Sequence, residues 1–113
     1  MVVEVKGRER VIERKDGDQL ARNRKNYAIE INKQLSEVKG ILLCNPWRML
    51  SLEEREKEDD FAPHCITDAK GENIALITTS NLFKAYCAML NGSSSKEEII
   101  ERLFSSVGVT KLL

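Results

Sequence analysis

The chain has 113 residues, room for one domain around one modest core, and its 18 basic and 18 acidic side chains cancel to a formal charge of zero at pH 7. That balance rules out a global field steering the protein to nucleic acid, and no apolar run is long enough for a membrane-spanning helix. Charge is uneven, however: residues 1–40 hold ten Lys or Arg against seven Asp or Glu, while residues 53–60 hold six acids against two bases.

Val2-Val3-Glu4-Val5-Lys6-Gly7 reads as a buried strand. Side chains alternate along a strand, so Glu4 and Lys6 share one face and Val3 and Val5 take the other. Burying an unpaired charge costs several kcal/mol, so the charged face requires a partner. Two accounts are open: a salt bridge at a sheet edge, or a carboxylate that ligates a divalent metal beside an ammonium that orients water and offsets phosphoryl charge. Val11 and Ile12 either extend this strand or begin another. Asp16-Gly17-Asp18 ends the span, with Asp16 or Asp18 as the helix N-cap.

From Asp18 to about Val38, Leu20, Tyr27, Ile31, Leu35 and Val38 form one apolar stripe of a long amphipathic helix. Gly40 closes the turn, and Ile41-Leu42-Leu43-Cys44 is an apolar run fit for a central strand. Strand, helix and strand make a βαβ unit with a parallel pair, so the fold class is α/β.

Asn45-Pro46-Trp47-Arg48 leaves the carboxyl end of that strand, where open sheets hold ligands. Trp47 either caps the core or contacts a base, and Arg48 is either solvated or a phosphate contact. Ser51 to Glu54 begins a short charged helix, Pro63 opens another that runs to about Ala69, and residues 70–73 form a turn. Ile74 to Thr78 is the last clear strand. Thr79 or Ser80 caps a helix from Asn81 to Leu90 with Leu82, Phe83, Tyr86, Met89 and Leu90 on or beside its inner face. Ser95-Lys96-Glu97-Glu98 has capping-box spacing and opens a helix presenting Ile99, Ile100, Leu103, Phe104 and Val107. Residues 93–113 are thus a helical extension of the same domain, with a tail from Val109 that packs locally or frays.

Three strands leave the edge at Val2 to Lys6 uncovered. Either residues 8–15 fold back as a fourth strand, or a second copy pairs there to give a homo-oligomer, or the rest of a longer protein covers it. Cys44, Cys65 and Cys87 stand 21 and 22 residues apart, which matches neither a zinc site nor a redox pair, and reads as reduced thiols in a cytoplasmic protein. His64 lacks an acidic orienter, and its neighbour Cys65 points elsewhere on a helix, so neither is a catalytic candidate. Arg8, Arg10, Arg14, Lys15, Arg22, Arg24 and Lys25 either form the best phosphate-binding patch, whose contacts would give affinity without base specificity, or are the ordinary charges of a solvated surface, since acidic residues are interspersed among them.

The order Val-Glu-Val-Lys-Gly, Asp-Gly-Asp-Gln-Leu, Lys-Gly-Ile-Leu-Leu-Cys-Asn and Ile-Ala-Leu-Ile-Thr-Thr-Ser-Asn-Leu-Phe, over residues 2–90, resembles the restriction-endonuclease-like superfamily with its PD-(D/E)xK motif. The resemblance implies a small mixed sheet of three to four strands packed with helices, and Mg- or Mn-dependent phosphodiester hydrolysis of DNA. Glu4 matches the acid of the half-motif, Lys6 its lysine and Gln19 the glutamine at the mouth of the next helix; Tyr27 matches a tyrosine of some branches. Glu4 and the Val5 carbonyl would hold the metal together with an upstream Asp, and Lys6 would place the attacking water. Arg8, Arg10, Arg22, Lys25 and Arg48 would contact nucleic acid. Here the sequence departs from the pattern, because only Met1, Val2 and Val3 precede Glu4 and the aspartates at 16, 18, 59, 60 and 68 follow it. The expectation is a truncated nuclease-like domain, inactive or barely active alone, that belongs to a longer protein missing from its amino-terminal side; the alternative is a non-catalytic nucleic-acid-binding or oligomerisation module.

Overall fold

An apolar run bounded by a glycine and an asparagine makes a strand covered on both faces, and Gly40–Asn45 is that strand in the computed structural model, which describes all 113 residues. It is β2. Beside it lie β1 (Val2–Gly7) and β3 (Ile74–Thr78), and β4 (Gly108–Val109) adds to β3, so that four strands stand in chain order. All three pairings are parallel, with Glu4 opposite Leu42 and Leu42 opposite Leu76. The α/β class expected from the sequence is therefore found, with a wholly parallel sheet in place of a mixed one. Parallel neighbours need crossovers, and the helices supply them: α1 (Asp18–Glu30), α2 (Leu52–Arg55), α3 (Pro63–Gly71), α4 (Thr79–Leu90) and α5 (Lys96–Ser105).

Alternation along the strands divides the core. Leu42, Cys44, Ile74 and Leu76 pack on one face against Leu20 of α1, Cys65 and Ala69 of α3, Ile12 and Phe61. Ile41, Ala75 and Ile77 pack on the other against Ala85 of α4, Ile99 of α5 and Leu112. Small residues let α4 sit close to the sheet: Ala85 and Ala88 are its buried positions, while Phe83, Tyr86 and Leu90, placed on an inner face by their spacing, are exposed. Likewise α5 buries only Ile99, because it lies at the periphery, and leaves Ile100, Phe104 and the following Val107 in solvent. The cap of α4 is Thr78, whose hydroxyl accepts from the Asn81 N–H at 3.2 Å.

Two expectations about the edges change. Residues 8–15 do not return as a strand; only Ile12 bridges to Phe61. The fourth strand comes from the tail, where the Thr110 N–H donates to the Leu76 carbonyl at 2.9 Å and the Leu112 N–H to Asn81 Oδ1 at 2.9 Å. Being added beside β3, it leaves β1 as the other edge, and β1 is not buried: Val3 and Val5 are 47% and 63% exposed.

The first helix also differs from its apolar stripe. It stops at Glu30, and Asn32, at φ 55°, follows its last turn in the left-handed region that asparagine tolerates. A separate 3-10 turn forms at Leu35–Glu37. The buried face of α1 is Leu20, Arg24 and Ala28, four residues apart, whereas Tyr27, Ile31 and Leu35 are exposed. Arg24 is buried because it satisfies three acceptors: Nε donates to the Val38 carbonyl (2.6 Å), Nη2 to the Leu35 carbonyl (2.7 Å) and Nη1 to Glu72 Oε2 (2.6 Å). It thereby ties α1 to the start of β2 and to the turn before β3. Gly40 makes room for it, since a Cβ there would stand 3.0 Å from Ile74 Cγ1 and 3.1 Å from Arg24 Cδ. Nearby Lys39 is buried as well, donating to Asn73 Oδ1 and the Ser106 carbonyl; burial first, then the Arg24 charge, pull its pKa down.

Removing the arginine strands the buried Val38 carbonyl and leaves the part-buried Leu35 carbonyl without its donor. Arg24→Ala is expected to lower unfolding free energy by about 3 kcal/mol, while Ile31→Asp, at a position 40% exposed, is expected to change it by less than about 1 kcal/mol. Urea denaturation of both variants checks this; a larger loss in Ile31→Asp would restore the apolar stripe as the helix's inner face.

Candidate functional site

Beyond Gly7 the chain leaves the sheet between Arg8 and Lys15, a segment with few apolar residues to anchor it. Its apolar anchor is Ile12, buried in the core and bridged to Phe61, and its polar anchor is a carboxylate. Asp16 sits in a 3-10 turn (Arg14–Gly17) with its side chain fully buried. It accepts from Arg8 Nε at 2.7 Å, from Arg10 Nη1 at 3.0 Å and from the Glu13 N–H at 2.9 Å. Burial pushes its pKa up, but the hydrogen bonds from Arg10, the Glu13 backbone and Arg8, with the Arg10 charge, outweigh that and hold it below the usual carboxylate range. Arg10 is correspondingly raised, chiefly by its hydrogen bond to Asp16. The N-cap of α1 is Gly17, not Asp16 or Asp18 as expected; Asp16 instead completes a capping box on the 3-10 turn through the Glu13 N–H and serves as an ion-pair hub.

The segment after β2 is stitched to the same loop. The Arg8 N–H donates to the Asn45 carbonyl (3.1 Å), the Arg48 N–H to the Arg8 carbonyl (2.9 Å) and the Trp47 N–H to the Arg10 carbonyl (3.3 Å). Trp47 takes φ 52°, and its indole donates to the Asp59 carbonyl at 2.9 Å, so it braces the loop. Arg55 of α2 clamps the turn by donating to Asn45 Oδ1, the Leu50 carbonyl and the Arg48 carbonyl, all at 2.9 Å.

These bonds bring Arg8, Arg10 and Arg48 together around an open depression whose remaining walls are Gly7 and Glu9. Arg8 donates to Asp16 through Nε and to the Gly7 carbonyl through Nη1, Arg10 donates through Nη1 to Asp16 and the Val11 carbonyl with Glu13 at 3.7 Å, and Arg48 has only a loose ion pair, 3.8 Å to Glu9; with five N–H donors on each guanidinium, all three keep donors free. Planar, permanently charged forks of this kind match phosphate oxygens. Three of the five expected nucleic-acid contacts therefore converge. The other two, Arg22 and Lys25, lie in solvent on α1 outside this depression.

Glu4 and Lys6 do share a face, with Lys6 Nζ 3.9 Å from Glu4 Oε1 and each side chain about a quarter exposed. Their register partners are Leu42 and Cys44, which puts them on the α1 side of the sheet. Gln19 is not joined to them: its amide donates to Asn23 Oδ1 (2.9 Å) and accepts from Arg22 (2.8 Å). For Mg or Mn, the Glu4 carboxylate and the Val5 carbonyl offer two oxygens where octahedral coordination takes six, and no three His, Cys, Asp or Glu side chains converge anywhere in the chain. The residues present do not build that site. His64 is exposed and its imidazole makes no hydrogen bond, and burial pushes the thiols of Cys65 and Cys44 up to about 11 and about 12, which keeps both protonated in the core.

Arg55 went unmarked in the sequence because it lies within an acidic run, Glu53 to Asp60, where one arginine reads as a solvated charge. Asp16 carried a signal, an aspartate flanked by arginines at several spacings, but the same pattern serves a cap.

No family model, no curated protein and no solved structure matches this chain. No helix is long and apolar enough to cross a membrane.

Because the folded pKa of Asp16 lies below the ordinary value of about 3.9, its contribution to stability is present above that value and is lost as pH falls through the folded one. Asp16→Asn is expected to cost about 2 kcal/mol at pH 7 and to flatten the fall in stability below about pH 4. Chemical denaturation at pH 3 to 7 checks this; parallel curves for the two proteins would contradict it.

Proposed function

We propose that this chain is a nuclease-like α/β module that binds the phosphate backbone of nucleic acid, DNA in the first instance, through Arg8, Arg10 and Arg48, without cleaving it. The observation that carries the reading is the convergence of these three guanidiniums in one open depression at the carboxyl end of β1, on a loop held by Asp16. Phosphate contacts of this type position a duplex and carry no base specificity. On this reading Glu4 and Lys6 serve as an ion pair on the edge strand and no metal takes part. Buried Cys44 and Cys65 and exposed Cys87 are all free thiols, which fits a reducing compartment, and we place the protein in the cytoplasm.

Fluorescence anisotropy with a labelled duplex tests the proposal. Log affinity is expected to fall with log salt concentration with a slope of about −2 to −3, and Arg48→Ala or Arg10→Ala to flatten that slope by about 0.9 each. Arg22→Ala and Lys25→Ala are expected to leave it unchanged. Equal flattening by the α1 variants, or no binding at about 20 mM salt, would refute the assignment.

A further inference from the structure

The uncovered edge of β1 carries a second kind of information, independent of any nucleic-acid reading. In the parallel ladder the Val2 N–H donates to the Lys39 carbonyl at 2.8 Å and the Arg8 N–H to the Asn45 carbonyl at 3.1 Å. Even-numbered residues of β1 therefore turn their backbone groups to β2. The odd-numbered ones, Val3, Val5 and Gly7, turn their N–H and C=O groups outward, where no strand receives them, although the Gly7 carbonyl accepts from Arg8 Nη1 at 3.2 Å on one of its two lone pairs. An exposed row of this kind is a template for another strand; the bulges and prolines that protect such edges are absent along Val2–Gly7, and the charges that also protect them, Glu4 and Lys6, are of opposite sign, so they oppose pairing in some registers and favour it in another.

Charge selects the occupant. We infer that β1 pairs with β1 of a second copy of this chain, antiparallel about a two-fold axis through Val5, joining two four-stranded sheets into one of eight strands. A two-fold axis perpendicular to the sheet keeps the same helices on the same side in both copies, so residues that oppose each other must share parity. Three registers then compete. Centred on Glu4, the pairing sets carboxylate against carboxylate; centred on Lys6, it sets ammonium against ammonium, and like charges directly opposite are destabilising. Centred on Val5, it sets Glu4 against Lys6 of the second copy, and Lys6 against its Glu4.

The backbone agrees with that register. Val5 meets Val5, and Val3 meets Gly7, as hydrogen-bonded pairs formed by the outward-facing groups, about six bonds in all. Glu4 and Lys6 fall on the non-hydrogen-bonded positions, where opposing side chains come closest. On the opposite face, Val5 of each copy gains an apolar neighbour in place of water. The pairing answers two observations together: an edge strand whose apolar residues are its most exposed, and a Glu-x-Lys pair only partly satisfied within the chain, at 3.9 Å.

Sedimentation velocity of the purified chain, from about 1 µM to 1 mM, is expected to show a concentration-dependent species of twice the 12.9 kDa chain mass. Glu4→Lys and Lys6→Glu, each alone, set like charges opposite one another and are expected to sediment as monomers; mixed one to one, they are expected to form a heterodimer. Amide hydrogen exchange gives a test without substitution: Val3, Val5 and Gly7 are expected to gain protection as concentration rises. A wild-type chain monomeric throughout, singly reversed variants that dimerise as well as wild type, a mixture that does not associate, or a dimer with unprotected Val3, Val5 and Gly7 amides would each overturn the inference.

Discussion

A carboxylate taken fully out of water between two arginines organises the functional end of this molecule. Asp16 is the point at which the loop after β1 turns back toward α1; two of its three hydrogen bonds hold Arg8 and Arg10 in place before any ligand arrives, and the third, from the Glu13 N–H, closes the turn. Burying a charge is unfavourable unless it is paired and hydrogen-bonded. Here the pairing is nearly complete on the carboxylate side and deliberately incomplete on the guanidinium side. Arg8 keeps its Nη2 donors and Arg10 its Nε and Nη2 donors, so the interactions that secure the loop leave cationic donors on residues that line the depression. Arg55 has the matching role for the opposite wall, holding the carbonyl of Arg48 so that its side chain borders the same space.

The remainder of the fold delivers these loops to one place. A parallel sheet puts the carboxyl ends of its strands on one side, and the connections after β1 and β2 both emerge there. Arg24 does the equivalent work at the opposite end, where α1 must release the chain into β2. One buried hub is centred on an aspartate and the other on an arginine, in a protein of zero formal charge, which shows how little the global balance says about local electrostatics.

Much of this was legible in the sequence, and the limits have physical causes. The strands announced themselves through apolar runs bounded by Gly40, Asn45 and Asn73, and the parallel crossover followed from the helix between the first two. The sheet is wholly parallel rather than mixed because every connection between its strands carries helices that cross over, and the fourth strand escapes the sequence because two residues are too few for periodicity to reveal. The length and face of α1 were misread because apolar spacing gives no weight to a buried arginine, and because Asn32 ends the helix through a backbone conformation rather than a helix-breaking proline. At the site, the placement of Glu4 and Lys6 on one face followed from alternation alone. The grouping of Arg8 and Arg10 with Arg48, and the separation of all three from Arg22 and Lys25, depend on loop hydrogen bonds that no local pattern encodes.

The most direct test of the arginine cluster is nuclear magnetic resonance of the arginine Nε–Hε groups during titration with a short DNA duplex. The account predicts that the Arg8, Arg10 and Arg48 signals shift together and saturate at one ligand concentration, while Arg22 and Arg102 stay in place. Shifts confined to Arg22 and its neighbours on α1, or no shift at any of the three clustered arginines, would contradict it.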